Sequence, residues 1–188
     1  MKLDLFWLHF IIVLGIVLVA YIMNVRTMRL RACYNMYRVR DAFVLLVAQD
    51  VIPESSEVFK HYYGNINRLL RDAPKVGLDD MLATIFQRVK GAEFDRALAV
   101  ARDKAKRMAS DPLMKDDQVR QVVADYYVAL RGMMLSHSSL LKLAYIVSRH
   151  LLAPAVVRRL GGFVPGRIER GLQAVDYAEV EAKEFRPA

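Results

Sequence analysis

The feature that most limits how this chain can fold is an uninterrupted apolar run near its start. Leu5–Met23 comprises 19 residues without Asp, Glu, Lys or Arg, and its only ionisable side chains are His9 and Tyr21. At about 1.5 Å of rise per residue, such a helix measures roughly 28 Å, close to the roughly 30 Å hydrocarbon thickness of a bilayer. The run predicts a transmembrane helix over residues 5–23, after a short extracytoplasmic N-terminus over residues 1–4.

A cleaved secretory signal and a buried core helix are the alternatives to a retained span. A signal needs a positive n-region, an apolar core of about 7–15 residues and small residues at its cleavage site. Here the n-region is nearly neutral, and the run ends in the bulky residues Tyr21, Ile22 and Met23. A helix buried in a soluble core generally keeps a polar face, which this run lacks. We therefore expect a retained span.

The charges that flank the run predict its orientation. Before it, Lys2 and Asp4 nearly cancel, whereas five arginines follow it before the first acid, Asp41: Arg26, Arg29, Arg31, Arg38 and Arg40. Lys and Arg close to a span stay on the cytoplasmic side. The N-terminus is therefore expected outside and the rest of the chain in the cytoplasm, at the inner membrane if the source is bacterial.

Five residues are predicted to lie at the membrane interfaces. Trp7 and Tyr21 stand near the two ends of the span, where amphipathic rings are enriched. Arg26, Arg29 and Arg31 can rest on anionic headgroups, at about 1 kcal/mol for each cation near the surface.

Composition limits the remaining 165 residues to about one domain. The net charge of the chain is +8, and a basic excess favours an anionic membrane, nucleic acid or an acidic partner. Membrane anchoring accounts for much of this excess without a further assumption. The single cysteine, Cys33, excludes an intramolecular disulfide and suits a reducing compartment.

Helical spacing dominates after the span, and no alternating strand pattern persists. The span is expected to continue as a juxtamembrane helix over residues 24–54, with a core-facing stripe of Met36, Val39, Phe43, Leu46 and Val47. Further helices over residues 55–160 form the main bundle, and residues 161–188 form a weakly helical, acidic C-terminal tail. The predicted fold is all-α: one N-terminal transmembrane helix followed by a cytoplasmic bundle of about five to six helices.

Residues 138–152 leave three structures open. Leucine, isoleucine and valine leave only a narrow polar line through Ser138, Lys142 and Arg149. Such a helix is central to a bundle, lies flat on a membrane or forms a second span. Lys142 and Arg149 argue against a span, because each central cation costs roughly 3 kcal/mol on insertion scales.

No pattern in the sequence indicates a reaction. None of the four histidines pairs with another His, a Cys or an acid at zinc-ligand spacing, and phosphate-binding loops are absent. Ser139 and Lys142 have S-x-x-K spacing but lack the companion motifs of acyl-enzymes. The sequence therefore predicts no catalytic residue, metal site or cofactor, and a protein that is not an enzyme.

Two groups of residues are candidate contacts. The first is basic and suits an anionic surface, although acids are interleaved with it: Arg96, Arg102, Lys104, Lys106, Arg107, Arg158 and Arg159. The second consists of two tyrosine pairs, Tyr62–Tyr63 and Tyr126–Tyr127. In each pair one ring lies on a core stripe and the other beside it, where it either completes the core or meets a partner protein.

Three functions follow from these patterns. The favoured one is a membrane-anchored interaction or scaffold protein, a non-enzymatic subunit that assembles with itself or with other proteins. The first alternative is a membrane-acting effector or sensor whose amphipathic helix at 138–152 engages the bilayer. The second is recruitment of nucleic acid or anionic lipid by the basic residues.

Overall fold

The computed structural model describes residues 2–72, 93–138, 141–142, 145–146 and 166–187. Within these ranges the chain is helical and contains no strand, which confirms the all-helical prediction for the described part. Five α-helices and one 3-10 turn follow each other along the chain: α1 Lys2–Ala48, α2 Glu57–Asp72, α3 Phe94–Ala109, the turn Pro112–Lys115, α4 Asp117–Ser136 and α5 Gly166–Glu184.

Helix α1 joins the apolar run and the arginine-rich segment in one continuous element of 47 residues. It is the one described helix that is long and apolar enough to cross a membrane, and none of its most apolar stretch is buried against the rest of the chain. In water this surface would expose a continuous row of aliphatic side chains. Its exposure therefore fits a lipid environment better than a soluble one.

Individual side chains near the helix ends explain where the helices end and begin. After α1, Asp50 turns the chain with a φ of 57°, a left-handed conformation that Asp tolerates better than most residues. The Ser56 hydroxyl then caps α2 by accepting from the Phe59 amide at 3.2 Å, an interaction that serine commonly makes at a helix N-terminus. Asp111 caps the 3-10 turn, whereas Asp116 caps α4 by accepting from the amides of Gln118 and Val119.

Helix α4 lies between α1 and α5, because it packs against both of them. The predicted core stripe of α1 is confirmed: Met36, Val39, Phe43 and Leu46 are buried, and Val47 packs against them. Helix α2 folds back on α1, where the Phe43 and Tyr62 rings stack with centroids 5.7 Å apart. Helix α3 contacts α5, so all five helices contribute side chains to one core.

The C-terminal segment differs from the weakly helical tail expected over residues 161–188. Gly166–Glu184 is a helix of 19 residues, and Val175, Ala178, Ala182 and Phe185 form a buried stripe along it. These residues are spaced at i, i+3, i+7 and i+10, which is one face of a helix. The stripe was not recognised in the sequence because acids lie between its residues along the chain. In the helix, most of these acids lie on other faces.

Several predictions lie outside the described residues. Residues 73–92 of the helices predicted over 55–160 are among them, and so are residues 161–165 of the predicted C-terminal tail. The same holds for most of the segment 138–152, and for Arg158 and Arg159.

Candidate interaction surface

A second apolar stripe runs along α1 on the side away from the core. Its members follow helical spacing, and all are exposed in the folded chain: Leu30, Tyr34, Tyr37, Val44 and Leu45. Leu30 and Tyr34 are the most open, at 70% and 67% exposure. With 3.6 residues per turn, these five side chains lie within roughly a third of the helix circumference. We call them the α1 stripe.

Arginines border the α1 stripe. Arg26 lies along one edge, and Arg31 and Arg38 lie along the other. None of these three forms an ion pair with an acid of the described residues. Asp41, the one acid within the stripe, accepts from Arg40 Nε at 3.1 Å and from Arg40 Nη2 at 2.9 Å. Among the described residues, therefore, no acid pairs with the positive border of this apolar surface.

A groove between α1 and α4 continues this surface. Its volume is about 300 Å³, and its walls include Val39 and Ala42 of α1 and Val122 and Val128 of α4. Arg38 and Asp125 stand at its polar edges. Because Arg38 belongs both to the groove and to the border of the α1 stripe, a partner helix that covers the stripe can also reach the groove.

The tyrosines predicted as candidate partner contacts lie mostly in the core. Tyr62, Tyr126 and Tyr127 are buried, and Tyr63 is half-buried with its ring stacked on Phe59 at 4.8 Å. Of the two alternatives left open for the outer ring of each pair, burial favours core packing for the Tyr126–Tyr127 pair. Since α4 is covered by α1 on one side and α5 on the other, both rings of the Tyr126–Tyr127 pair are enclosed.

The buried tyrosines form a polar line through the core. The Tyr127 hydroxyl lies 3.4 Å from the hydroxyls of both Tyr62 and Tyr177, and the Tyr177 hydroxyl donates to the Ala101 carbonyl at 3.4 Å. Burial raises the pKa of Tyr177 to about 12. These hydroxyls therefore stay protonated at neutral pH, and their contacts satisfy polar groups inside the core.

Glu181 is the buried acid beside this line. It is 5% exposed, and its Oε2 atom has no hydrogen-bond partner. Burial, and to a smaller extent Glu184, raise its pKa to about 7, although Arg102 and Lys106 act in the opposite direction. A carboxyl group without a full set of partners is destabilising when charged, so Glu181 is a pH-sensitive element of the core.

The predicted basic residues of α3 point in different directions. Arg102 and Lys106 act on Glu181 of α5, whereas Lys104 lines a cavity against α2. Arg96 and Arg107 are exposed, and the 100° step between successive helical residues places them away from the buried side of α3. The described cations of this group therefore do not share one flat face.

Three of the five described residues in the segment 138–152 pack against the rest of the chain. Leu141 is fully buried, Lys142 Nζ lies 3.2 Å from the Met28 sulfur of α1, and the Tyr145 hydroxyl donates to Glu179 of α5 at 3.0 Å. Ile146 is exposed. Lys142 therefore lies beside the part of α1 that follows the apolar run, and Tyr145 lies beside α5.

The predicted interface residues Trp7, Tyr21, Arg26, Arg29 and Arg31 are all exposed on α1. The thiol of Cys33, on the same helix, is half-buried, and burial raises its pKa. Among the described residues no group of three or more His, Cys, Asp or Glu side chains could hold a metal ion.

The α1 stripe was not predicted from the sequence, although the helical spacing of its residues is visible there. Its residues recur at helical spacing: Leu30, Tyr34, Tyr37, Val44 and Leu45. The same helix also carries the core stripe, and only the core stripe was predicted. Comparison with models of known families, with characterised proteins and with solved structures finds no significant match to this chain.

Proposed function

We propose that this protein is a membrane-anchored, non-enzymatic interaction protein, whose helical bundle assembles with another membrane protein along α1. The observation that carries the proposal is the α1 stripe. Five apolar or aromatic side chains remain exposed after folding, directly beyond a run that is long and apolar enough to cross a membrane. A contiguous exposed apolar surface with a charged border is typical of a protein interface.

The charges favour a different chain over a second copy as the partner. Two copies in one membrane would cross it in the same direction, so their juxtamembrane arginines would meet at the same depth. Like charges placed together oppose association. A partner helix with acids at this level would instead pair with Arg26, Arg31 and Arg38, which have no acidic partner among the described residues.

The proposed placement has the N-terminus outside and the bundle in the cytoplasm. The arginines after the run support this orientation through the positive-inside rule. Arg26, Arg29 and Arg31 then lie at the headgroups of the inner leaflet, with Trp7 and Tyr21 at the two interfaces. In a bacterium this membrane is the inner membrane.

Site-specific photocrosslinking in native membranes tests the proposal. A photoreactive amino acid at Tyr34 should crosslink to one other membrane protein, and the crosslinked peptide of that partner should lie in a juxtamembrane helix that contains acids. Substituting Leu45→Lys in the same chain should reduce the crosslink at least about tenfold, because a charge is then buried in an apolar contact.

Val180 gives the matched control. It is an exposed valine on α5, outside the α1 stripe, so Val180→Lys should leave the crosslink unchanged. A crosslink only to a second copy of this chain, or no crosslinked product at all, would contradict the proposal. Equal loss with both lysine variants would contradict the assignment of the interface to the α1 stripe.

A further inference from the structure

A cavity between α2 and α3 lies outside the surface described above. Its volume is about 270 Å³, close to the lower end of the roughly 300–1,000 Å³ that small-molecule sites occupy. Seven residues line it, and three of them are cations: Glu57, Lys60, His61, Gly64, Asn65, Arg68 and Lys104. Three cations face one carboxylate there.

We propose that this cavity binds the phosphate group of a small soluble phosphate monoester through Lys60, Arg68 and Lys104. Arginine presents several donors in a planar fork and lysine a compact charge, and both are common phosphate ligands. The three cations come from two helices, so the fold brings Lys104 to the two residues of α2. None of the three forms an ion pair with an acid of the described residues.

A hydrogen-bonded row along α2 orders one wall of the cavity. Arg68 Nη2 donates to Asn65 Oδ1 at 2.8 Å. Because a guanidinium can only donate, this bond assigns the amide oxygen of Asn65 and turns its Nδ2 towards His61 Nε2, 3.4 Å away. His61 Nε2 is therefore the acceptor, and the proton of the neutral ring is on Nδ1.

The pKa of His61 responds to burial and to the charges that line the cavity. Burial, together with the nearby Lys104 and Arg68, lowers its pKa to about 4. A positive potential that keeps a histidine neutral also attracts an anion. Gly64 leaves the adjoining wall open, since a Cβ atom placed there would meet nothing within 4 Å.

The position of the cavity favours a soluble ligand over a lipid headgroup. Tyr62, next to His61 on α2, stacks on Phe43 of α1. Phe43 follows Met23 by 20 residues, which corresponds to about 30 Å of helix. With α1 crossing the membrane as proposed above, the cavity lies below the headgroups. This step alone rests on the proposed placement, and the phosphate site does not depend on a protein partner.

Calorimetric titration of the full-length protein in phosphatidylcholine nanodiscs tests the site, with inorganic phosphate as the probe. Wild type should bind phosphate saturably at low salt. Lys104→Gln and Lys60→Gln should each weaken binding about tenfold or more, as expected for the loss of one charge-assisted hydrogen bond. Two variants on different helices guard against a folding defect in one of them.

Lys106→Gln is the matched control, because it removes the same charge from α3 on the side that faces Glu181. It should change the phosphate affinity less than about twofold, since surface charges at a distance are screened. Absence of saturable binding by wild type would overturn the proposal. So would equal weakening by Lys104→Gln and Lys106→Gln, which would indicate a diffuse basic surface.

Two further readouts separate the remaining interpretations. Phosphate should raise the pKa of His61, followed by NMR of its ring nitrogens, because a bound anion offsets Lys104 and Arg68; an unchanged pKa would overturn binding in this cavity. Nanodiscs that contain phosphatidic acid identify the source of the phosphate group. Equal affinity with and without this lipid supports a soluble ligand, whereas competition by the lipid overturns that assignment.

Discussion

At the scale of single residues, Glu181 shows how tertiary burial changes the chemistry of an ordinary acid. On an isolated helix its carboxylate would face water. In the folded chain it lies beside the tyrosine line of the core, where water cannot solvate the charge. In the folded protein, Glu181 therefore either stays protonated or carries a buried charge that lowers the stability.

Glu181→Gln should therefore remove a pH-dependent loss of stability. The folded pKa of about 7 lies above the ordinary value of 4.5, so the folded protein holds a proton that the unfolded chain releases. The contribution of the protonated Glu181 to the free energy of unfolding is complete below about pH 4.5, and it is lost as the pH rises towards 7. At pH 8 the variant should be more stable by about 2 kcal/mol, from 1.36 kcal/mol per pKa unit reduced for partial solvation.

Thermal unfolding of the full-length protein in detergent, followed by circular dichroism at pH 4.5 and pH 8, measures this effect. Glu54→Gln is the control, because Glu54 is exposed and its replacement should not change the pH dependence. A variant that remains as pH-sensitive as wild type between these values would contradict the role given to Glu181.

At the scale of elements, α5 is the helix whose structure differs most from the prediction made from the sequence. Its acids suggested a solvated tail, but its apolar stripe packs against α4. Phe185 lies just beyond the last turn, with its ring stacked on Tyr127 at a centroid distance of 5.7 Å. The end of the chain is thus part of the core.

Phe185→Ala should lower the free energy of unfolding by about 3–4 kcal/mol, because it removes a buried ring and leaves a cavity beside Tyr127. Val180→Ala on the same helix is the control and should cost less than about 0.5 kcal/mol, since Val180 is exposed. Chemical denaturation of both variants in the same detergent provides the measurement. Equal, small effects would support a solvated tail instead.

At the scale of the whole molecule, α1 joins an apolar half and a packed half without a break. No described residue covers the most apolar part of its first half, and its second half packs on one side against α2 and α4. A continuous helix transmits position and tilt from one half to the other, because its backbone hydrogen bonds resist bending. If the apolar half crosses a membrane as proposed, the α1 stripe has a defined direction relative to that membrane.

Single-cysteine labelling with a membrane-impermeant maleimide should establish the orientation. On a Cys33→Ser background, Lys2→Cys should label only in intact cells, whereas Asp103→Cys and Val180→Cys should label only in inverted membrane vesicles. The positive-inside rule is the physical reason. The opposite pattern would reverse the proposed orientation, and recovery of Asp103→Cys in the soluble fraction would contradict anchoring.

The long apolar N-terminal helix and the helical class could be predicted from the sequence, because both depend on local patterns. An apolar run of sufficient length, arginines on one side of it, and apolar residues at helical spacing are properties of neighbouring residues. The core stripe of α1 and the cap at Ser56 were predictable for the same reason.

Other features depended on contacts between distant parts of the chain. Periodicity shows that a face is apolar, but only packing decides whether another helix covers it. Tyr126 and Tyr127 became core residues because α4 is enclosed by α1 and α5, whereas Tyr34 and Leu45 stayed exposed because no described helix reaches that side of α1. Lys104 meets Lys60 and Arg68 at one cavity for the same reason. The sequence by itself determined which surfaces avoid water, and the tertiary structure decided which of them remained available for a partner.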